Sequence, residues 1–331
     1  MKRPREEAAN VDGSRQRAVL VLGAGRSGTS IITRAVQAVG VDLGDDFKAP
    51  SRKNPTGFFE DAELLRLSKK LRRKLGLRPD SVRLVDDDVW TGPIVMPFYK
   101  MFADSINTRF GHAALWGFKY GRTMRLLPFW VRLFKEMDIS PSYVMAVRNP
   151  LSVARSRKKL DAGRGQQEHS DLEWLVNVVP YFDRIRGEKL VVINYDALME
   201  NPAAQLERLA AGLELPVTGQ MRQDIDAFAN VFLDRGLQHT RFSIEDLKAA
   251  KNINVLVRDA YYWLDALSYD EVRPAAAALW DAWKKINSGV SALGPILARI
   301  DTLNHELRVA QWNPFSPLPA AWKAMLRFWR H

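Results

Sequence analysis

The chain has 331 residues, of which 47% are hydrophobic, so it can bury the core of one large globular α/β domain with a helical extension. It contains no cysteine, which excludes a disulfide framework, a thiolate metal site and a cysteine nucleophile. The formal net charge of +11 indicates anionic partners, and a polyphosphorylated cofactor, an acidic glycan, nucleic acid and a membrane surface are all open.

The first segment, residues 1–17, is charged and lacks the apolar centre of a secretory signal, so we expect a disordered tail. We expect the main domain to cover residues 18–270 and a helical extension, residues 271–331, to pack on it. No apolar run reaches the length of a membrane span. These features predict a cytoplasmic protein.

A short apolar run, residues 19–22, leads into a glycine-rich turn and then into a helical pattern that starts at Thr29. A strand, a glycine loop and a helix start in that order present backbone N–H groups at the positive end of a helix dipole, which suits a phosphate. The alternative is a glycine turn that binds no ligand.

The spacing of Gly23 and Gly28 is that of a P-loop. Nucleotide hydrolases carry a phosphate-binding lysine where this chain has Thr29, and the loop's cation is Arg26 instead. The missing lysine disfavours a P-loop kinase or nucleotide hydrolase, which stays an alternative.

Glu60 and Asp61 follow a turn marked by Pro55 and Gly57, and we expect them to open a helix. That helix carries a basic run at Lys69, Lys70, Arg72, Arg73 and Lys74. A solvated helix face and a surface for polyanions are both open for this run.

Three further apolar runs follow along the chain, at residues 114–118, 143–147 and 189–195. Because helical patterns separate them, they predict a mostly parallel sheet with right-handed crossovers. Ligands bind at the carboxyl ends of such strands, and four cations fall there: Arg26, Lys119, Arg122 and Arg148. We expect them to converge on one cavity.

Several of these segments resemble the sulfotransferases that use 3'-phosphoadenosine 5'-phosphosulfate (PAPS). GAGRSGTSIITR resembles their 5'-phosphosulfate loop, and Arg148-Asn149-Pro150 followed by Ser156 resembles their 3'-phosphate motif. NPTGFFED, LWGFKYGRT and KLVVINYDALMENP resemble segments of bacterial members that act on glycans and other hydroxyl acceptors. The resemblance covers residues 18–240 and implies a P-loop-like three-layer α/β fold with a central, mostly parallel sheet.

The resemblance also implies a set of cofactor-binding residues. Those for the 5'-phosphosulfate are Gly25, Arg26, Ser27, Gly28, Thr29 and Ser30, with Arg26 at the bridging oxygen. Arg148 and Ser156 hold the 3'-phosphate. His239 is a further cofactor-binding candidate, although a surface or packed role is open for a lone histidine. Lys119 assists at the sulfate, and no metal is implied.

The acceptor hydroxyl needs a base, and here the chain departs from one branch of the family. Small-molecule sulfotransferases have Lys-Thr-His where this chain has Lys119-Tyr120-Gly121. Other branches use a glutamate, for which Glu60 is the first candidate, Asp61 the second and His112 a further one. The alternative for Glu60 is an acid in the first turn of a helix, where it favours the dipole.

The resemblance implies sulfuryl transfer to a hydroxyl, with a carbohydrate or glycolipid as the expected acceptor and no nucleic acid as partner. A non-catalytic module for polyanions is the rival outside the enzymes. The tail after residue 311 mixes Trp and Phe with Lys and Arg. It covers the core or lies at the inner membrane face, and packing is the role we expect.

Overall fold

The computed structural model describes residues 15–51, 57–234 and 241–312. Within them, four strands form one parallel sheet in the order β2-β1-β3-β4. The strands are β1 (Arg17–Gly23), β2 (Leu115–Lys119), β3 (Ser140–Val147) and β4 (Lys189–Asn194). The predicted α/β fold with a central parallel sheet is confirmed, and each of the four apolar runs forms a strand.

The described helices surround this sheet. They are α1 (Thr29–Ala38), α2 (Ala62–Lys74), α3 (Met96–Phe110), α4 (Leu127–Glu136), α5 (Pro150–Lys158), α6 (Gln167–Phe182), α7 (Tyr195–Glu200), α8 (Pro202–Gly212), α9 (Gly219–Ala227), α10 (Ile244–Ala249), α11 (Val255–Ser268), α12 (Ala277–Ala292) and α13 (Gly294–Trp312). Short 3-10 turns lie at Asp87–Thr91, Thr123–Leu126 and Asp183–Ile185, and a π-helical turn lies at Phe228–Phe232. None of the described helices is long and apolar enough to cross a membrane.

The strands are buried on both faces, which explains why they are continuous apolar runs. Successive side chains point to opposite sides. Leu20 and Leu22 join the core under α2, α3, α4, α6, α11 and α12, whereas Val19 and Val21 join the core under α1, α8 and α9. Two helical layers therefore enclose the sheet.

The strand order determines where a ligand can bind. The chain leaves β1 for β2 on one side and then crosses to β3 on the other side of β1. A crevice opens at such a switch point, beyond the carboxyl ends of the strands. The carboxyl ends of β1, β2 and β3 are Gly23, Lys119 and Val147.

The last described helices pack on the sheet domain. The indole Nε1 of Trp283 in α12 donates to the carbonyl oxygen of Val179 in α6 at 3.2 Å. Asp301 in α13 accepts from the backbone nitrogen of Val82 at 2.8 Å. Residues 1–14 of the expected tail and residues 313–331 lie outside the described residues, so the domain bounds and the role of the last segment stay predictions.

Candidate active site

The glycine-rich loop turns sharply where β1 ends. Gly23 has φ +142°, and a Cβ there would lie 2.7 Å from the carbonyl oxygen of Ala146, so β3 leaves no room for a side chain. Gly28 has φ +80°, and its Cβ would lie 2.3 Å from the ring of Tyr195. Both positions require glycine, because the neighbouring strands and their ends pack directly on the loop backbone.

Arg26 is held in an unusual backbone conformation. Its φ of 76° lies in the left-handed region, which costs a non-glycine residue about 1–2 kcal/mol. Its Nε donates to Oγ of Ser156 at 3.1 Å. The side chain is exposed, yet desolvation by the surrounding protein and the charge of Arg148 lower its pKa. The structure thus brings together three of the sequence-predicted residues: Arg26, Arg148 and Ser156.

Arg148 directly follows β3 and is buried, with 7% of its surface exposed. Its guanidinium carbon lies 4.2 Å from the ring centroid of Tyr195, a cation–π contact. Burial raises the pKa of Tyr195, and the charge of Arg148 opposes this shift. Tyr195 is absent from the sequence-predicted set, although its position directly after β4 is a signal that could have found it.

A buried ion pair lies across the loop from Arg148. Lys119, the last residue of β2, is 2% exposed, and its Nζ donates to Oγ of Ser30 at 3.1 Å and to the carbonyl oxygen of Phe58 at 3.0 Å. The same Nζ lies 3.2 Å from Oε1 of Glu60, which is 4% exposed. Glu60 Oε1 also accepts from the backbone nitrogen of Gly121 at 3.2 Å. The two groups proposed for chemistry are therefore in direct contact.

Lys48 is a site residue that the sequence did not reveal. Its Nζ lies 3.5 Å from Oε2 of Glu60 and 3.3 Å from the ring centroid of Phe58. Glu60 therefore lies between two lysines. Burial lowers the pKa of Lys119, Glu60 opposes that shift, and Lys48 adds to it.

The other candidates for the base have different roles. Helix α2 begins at Ala62 with Asp61 as its N-cap, so Glu60 directly precedes the cap and the acid of the first turn is Glu63. Asp61 is the N-cap of α2: its Oδ1 accepts from the nitrogen of Leu64 at 2.9 Å, and Arg109 pairs with its Oδ2. His112 precedes β2, at the amino edge of the sheet, and its Nε2 lies 3.4 Å from Oδ2 of Asp42 rather than at the carboxyl ends of the strands.

A cavity of about 450 Å³ extends from the loop across the Lys119–Glu60 pair. Among the described residues, eight cationic and three acidic side chains line it. The cations are Arg26, Lys48, Lys69, Arg72, Lys119, Arg122, Arg157 and Arg164, and the acids are Glu60, Asp161 and Glu173. Thr29 and Ser30 line the loop end. Arg148 and Ser156 are not part of this lining, so they form a neighbouring subsite reached through Arg26.

A second charge network fixes the loop to α5 and α6. Arg157 Nη2 donates to the carbonyl oxygen of Gly25 at 3.4 Å, and its Nη1 lies 3.1 Å from Glu173 Oε2. Arg164 Nε donates to Glu173 Oε1 at 2.7 Å. Burial lowers the pKa of Arg157 to about 10, whereas His169, Arg164 and Arg157 hold the pKa of Glu173 low although burial opposes them. The loop position is thus set by partners that no motif identified.

The loop has the features of an anion site. Gly28 caps α1 with no side-chain hydrogen bond, and the first turn of α1 has no acidic residue. The hydroxyl of Ser27 is buried and has no hydrogen-bond partner within the described ranges. The described residues include no cluster that could hold a metal ion. His239 lies outside the described residues, so its place in the cofactor set stays a prediction.

The sequence matches no family model and no curated protein. Solved structures similar to the chain include the sulfotransferase domain of the Synechococcus olefin synthase, which is 13% identical over 86% of this chain and 98% of that chain, with a TM-score of 0.39. A Mycobacterium avium sulfotransferase is 13% identical over 82% of this chain and 76% of its own, with a TM-score of 0.36. Retinol dehydratase, solved with androsterone and the inactive cofactor PAP, is 11% identical over 87% of this chain and 81% of its own, with a TM-score of 0.33. The first two of these structures are described as sulfotransferases, the family that the motifs of this chain resemble.

Proposed function

We propose that the protein transfers the sulfuryl group of PAPS to an acceptor hydroxyl. The observation that carries the proposal is the convergence of a phosphate-type loop, the Lys119–Glu60 pair and Arg148 at the carboxyl ends of neighbouring parallel strands. A phosphate site alone fits many enzymes. A buried lysine and a carboxylate beside it fit a transfer reaction that needs both a cation and a proton acceptor.

The donor site is proposed from the loop residues. The backbone N–H groups of Gly28, Thr29 and Ser30 are suited to the 5'-phosphate, because they lie at the start of α1 where the dipole favours an anion. Ser27 is proposed to contribute its hydroxyl, since its backbone N–H donates to the carbonyl oxygen of Ala24 at 3.2 Å. Arg148 and Ser156 are proposed to hold the 3'-phosphate. Arg26, which joins the loop to Ser156 at 3.1 Å, bridges the two subsites.

When bound, PAPS supplies a sulfuryl group whose bond to the phosphate oxygen breaks as the acceptor oxygen bonds to sulfur. Glu60 takes the proton of the acceptor hydroxyl. Lys119 and Arg26 stabilise the negative charge that grows on the sulfate and on the leaving oxygen. Once Glu60 has taken this proton, its attraction for Lys119 would weaken, which would leave more of the charge of Lys119 to stabilise the sulfate. Positioning and charge supply most of the rate, as in phosphoryl transfer.

We propose a carbohydrate or glycolipid as the acceptor, no metal requirement and a cytoplasmic location. The rivals are a kinase or nucleotide hydrolase and a non-catalytic polyanion module. A kinase requires Mg²⁺ to bridge its phosphates, whereas the proposed reaction does not, so metal dependence separates the two enzymes.

The test is ligand-dependent stability in EDTA. Adenosine 3',5'-bisphosphate (PAP) at 100 times its Kd should stabilise the folded protein by about 2.7 kcal/mol, which raises its Tm by several degrees. AMP should act more weakly, since it leaves the Arg148 subsite empty. No shift at millimolar PAP would refute the donor assignment. A shift with Mg²⁺-ATP alone would favour the kinase, and one with heparin alone would favour the polyanion module.

A further inference from the structure

One wall of the cavity carries three cations, Lys69 and Arg72 on α2 and Arg122 after β2, which we call the cationic wall. Two of them are fixed by carbonyl groups. Arg72 Nη1 donates to the oxygen of Leu77 at 2.7 Å, and Arg122 Nη2 donates to the oxygen of Pro79 at 2.6 Å. Their guanidinium groups are therefore held in place at the cavity.

In the described part of the chain, the acidic residues of the cavity form their ion pairs with cations outside the cationic wall. Glu60 and Glu173 each pair with two other cations of the cavity, and Asp161 accepts from the backbone of Arg164. Within the described ranges, no carboxylate lies at ion-pair distance from a member of the wall. Burial lowers the pKa of Arg122 and the charges of Arg72 and Arg164 add to that shift, whereas Tyr120 and Glu173 oppose it. Like charges held this close are costly, and a bound anion would relieve that cost.

The burial of Arg72 is a second indication of a bound anion. The residue is 7% exposed, and its Nε is buried without a hydrogen-bond partner among the described residues. A buried N–H of a guanidinium group is rarely left without an acceptor. The wall therefore has the donors and the charge for an oxyanion that the protein itself does not supply.

The wall lies on the side of the site opposite the proposed 3'-phosphate subsite. Arg122 follows β2 and Arg148 follows β3, and these strands flank β1 on opposite sides. The neighbour of Arg122, Gly121, donates its backbone N–H to Glu60 at 3.2 Å. The wall therefore adjoins the proposed base rather than the far end of the donor.

We propose that the acceptor is an anionic molecule that carries a phosphate ester, and that the cationic wall binds this phosphate while the acceptor hydroxyl faces Glu60. The proposal rests on the proposed function, because it identifies the acceptor side by the base. Three cations with no carboxylate at ion-pair distance among the described residues match the double charge of a phosphate monoester better than the single charge of a carboxylate. Two arginines also offer the forked donors that phosphate oxygens accept.

The experiment uses the full chain saturated with PAP, so that the donor subsites are filled. Inorganic phosphate, titrated against chloride at equal ionic strength, should raise the Tm further and bind at a second site in calorimetry. Glucose 6-phosphate should compete for this site at least 10-fold better than glucuronate, and glucose should not compete.

Lys69→Gln and Arg122→Gln should each lower the affinity for phosphate at this second site by at least 10-fold. The affinity for PAP should stay within about twofold. Arg73→Gln is the matched control, since Arg73 is exposed on α2 and does not line the cavity. It should change neither affinity.

Several results would overturn the proposal. They are the absence of second-site phosphate binding to the PAP-saturated protein, equal losses in the wall variants and in Arg73→Gln, and weaker PAP binding in the wall variants, which would assign the wall to the donor. If glucuronate bound more tightly than glucose 6-phosphate, the anionic group of the acceptor would be a carboxylate and not a phosphate. If PAP itself does not bind, the proposed function fails, and that failure is seen before phosphate is added.

Discussion

Glu60→Gln separates the role of this carboxylate in the ion pair with Lys119 from its proposed role as the base. Glutamine keeps the size of the side chain, and its carbonyl oxygen can still accept from Lys119 Nζ and from the backbone N–H of Gly121, both 3.2 Å away. Its amide cannot take up the hydroxyl proton. We therefore expect turnover to fall by about 100-fold or more, while PAP binding is preserved.

The same change alters stability for a different reason. Lys119 is 2% exposed, and Glu60→Gln removes the opposite charge at 3.2 Å. Leaving one partner of a buried pair charged costs about 3–5 kcal/mol, and this is an upper bound because Lys119 can lose its proton. Without Glu60, the folded-state pKa of Lys119 falls further below its unfolded value. The unfolded chain then binds more protons, so the stability deficit should shrink as pH rises toward 10.

The assay is single-turnover transfer from labelled PAPS, with urea unfolding on the same samples. The double variant Glu60→Gln/Lys119→Met removes both charges, so it should regain most of the lost stability and remain inactive. Turnover within about threefold of the unchanged protein, with PAP binding intact, would show that Glu60 is not the base. Asp61→Asn serves as the comparison, because asparagine still caps α2 and the change removes only the charge that pairs with Arg109, so turnover of the folded fraction should be unchanged.

Three further predictions concern charged groups around the site. Arg26→Ala should lower kcat by about 100- to 1000-fold with a smaller effect on PAP affinity, and Arg26→Lys should partly restore it; unchanged kcat in stopped assays with a raised KM for PAPS would limit the residue to binding. Arg148→Ala should lower the affinity for PAP by at least 10-fold more than the affinity for AMP, as measured by calorimetry, and equal losses of affinity would contradict the 3'-phosphate role. Burial raises the pKa of Asp171 from 3.8 to about 6, although the backbone N–H of Asn254 donates to its carboxylate. The folded state therefore favours the protonated carboxyl group, whose contribution to folding stability is present below pH 4 and is lost as pH rises through about 6. Asp171→Asn should therefore become more stable relative to the unchanged protein between pH 4 and pH 7, by about 3 kcal/mol in urea titrations, and a constant difference across that range would refute the shift.

The strands and the loop were predictable because their signals are local. A parallel strand that is buried on both faces must be apolar throughout, and residues 19–22 meet that condition without reference to the rest of the chain. The helix start at α2 was nearly predictable too. The sequence predicts that Glu60 and Asp61 open this helix. In the structure, the backbone N–H of Leu64 donates to Asp61, which makes Asp61 the N-cap and Ala62 the first helical residue. Glu60 therefore lies before the helix, where it lines the cavity.

The partners of the site residues were not predictable in the same way. Arg157 and Glu173 form an ion pair at 3.1 Å, and Arg157 also holds the carbonyl oxygen of Gly25. Nothing in the periodicity of α5 or α6 distinguishes these charges from those of a solvated helix face. Their pairing depends on how two helices cross above the sheet, and that crossing is a property of the packed chain rather than of either segment.

The role of the basic run on α2 could not be decided from the sequence either. A solvated face and a polyanion surface were equal alternatives in the sequence, and the structure divides the run between them. Arg73 and Lys74 are exposed, whereas Arg72 is buried and lines the cavity with Lys69. Residues three positions apart share a helix face, so Lys69 and Arg72 are directed to the same side once Leu71 is fixed in the core. The positions of Lys69 and Arg72 in the cationic wall thus follow from the helical period together with one buried leucine, and the proximity of the wall to Glu60 is what relates the positive charge to the proposed acceptor.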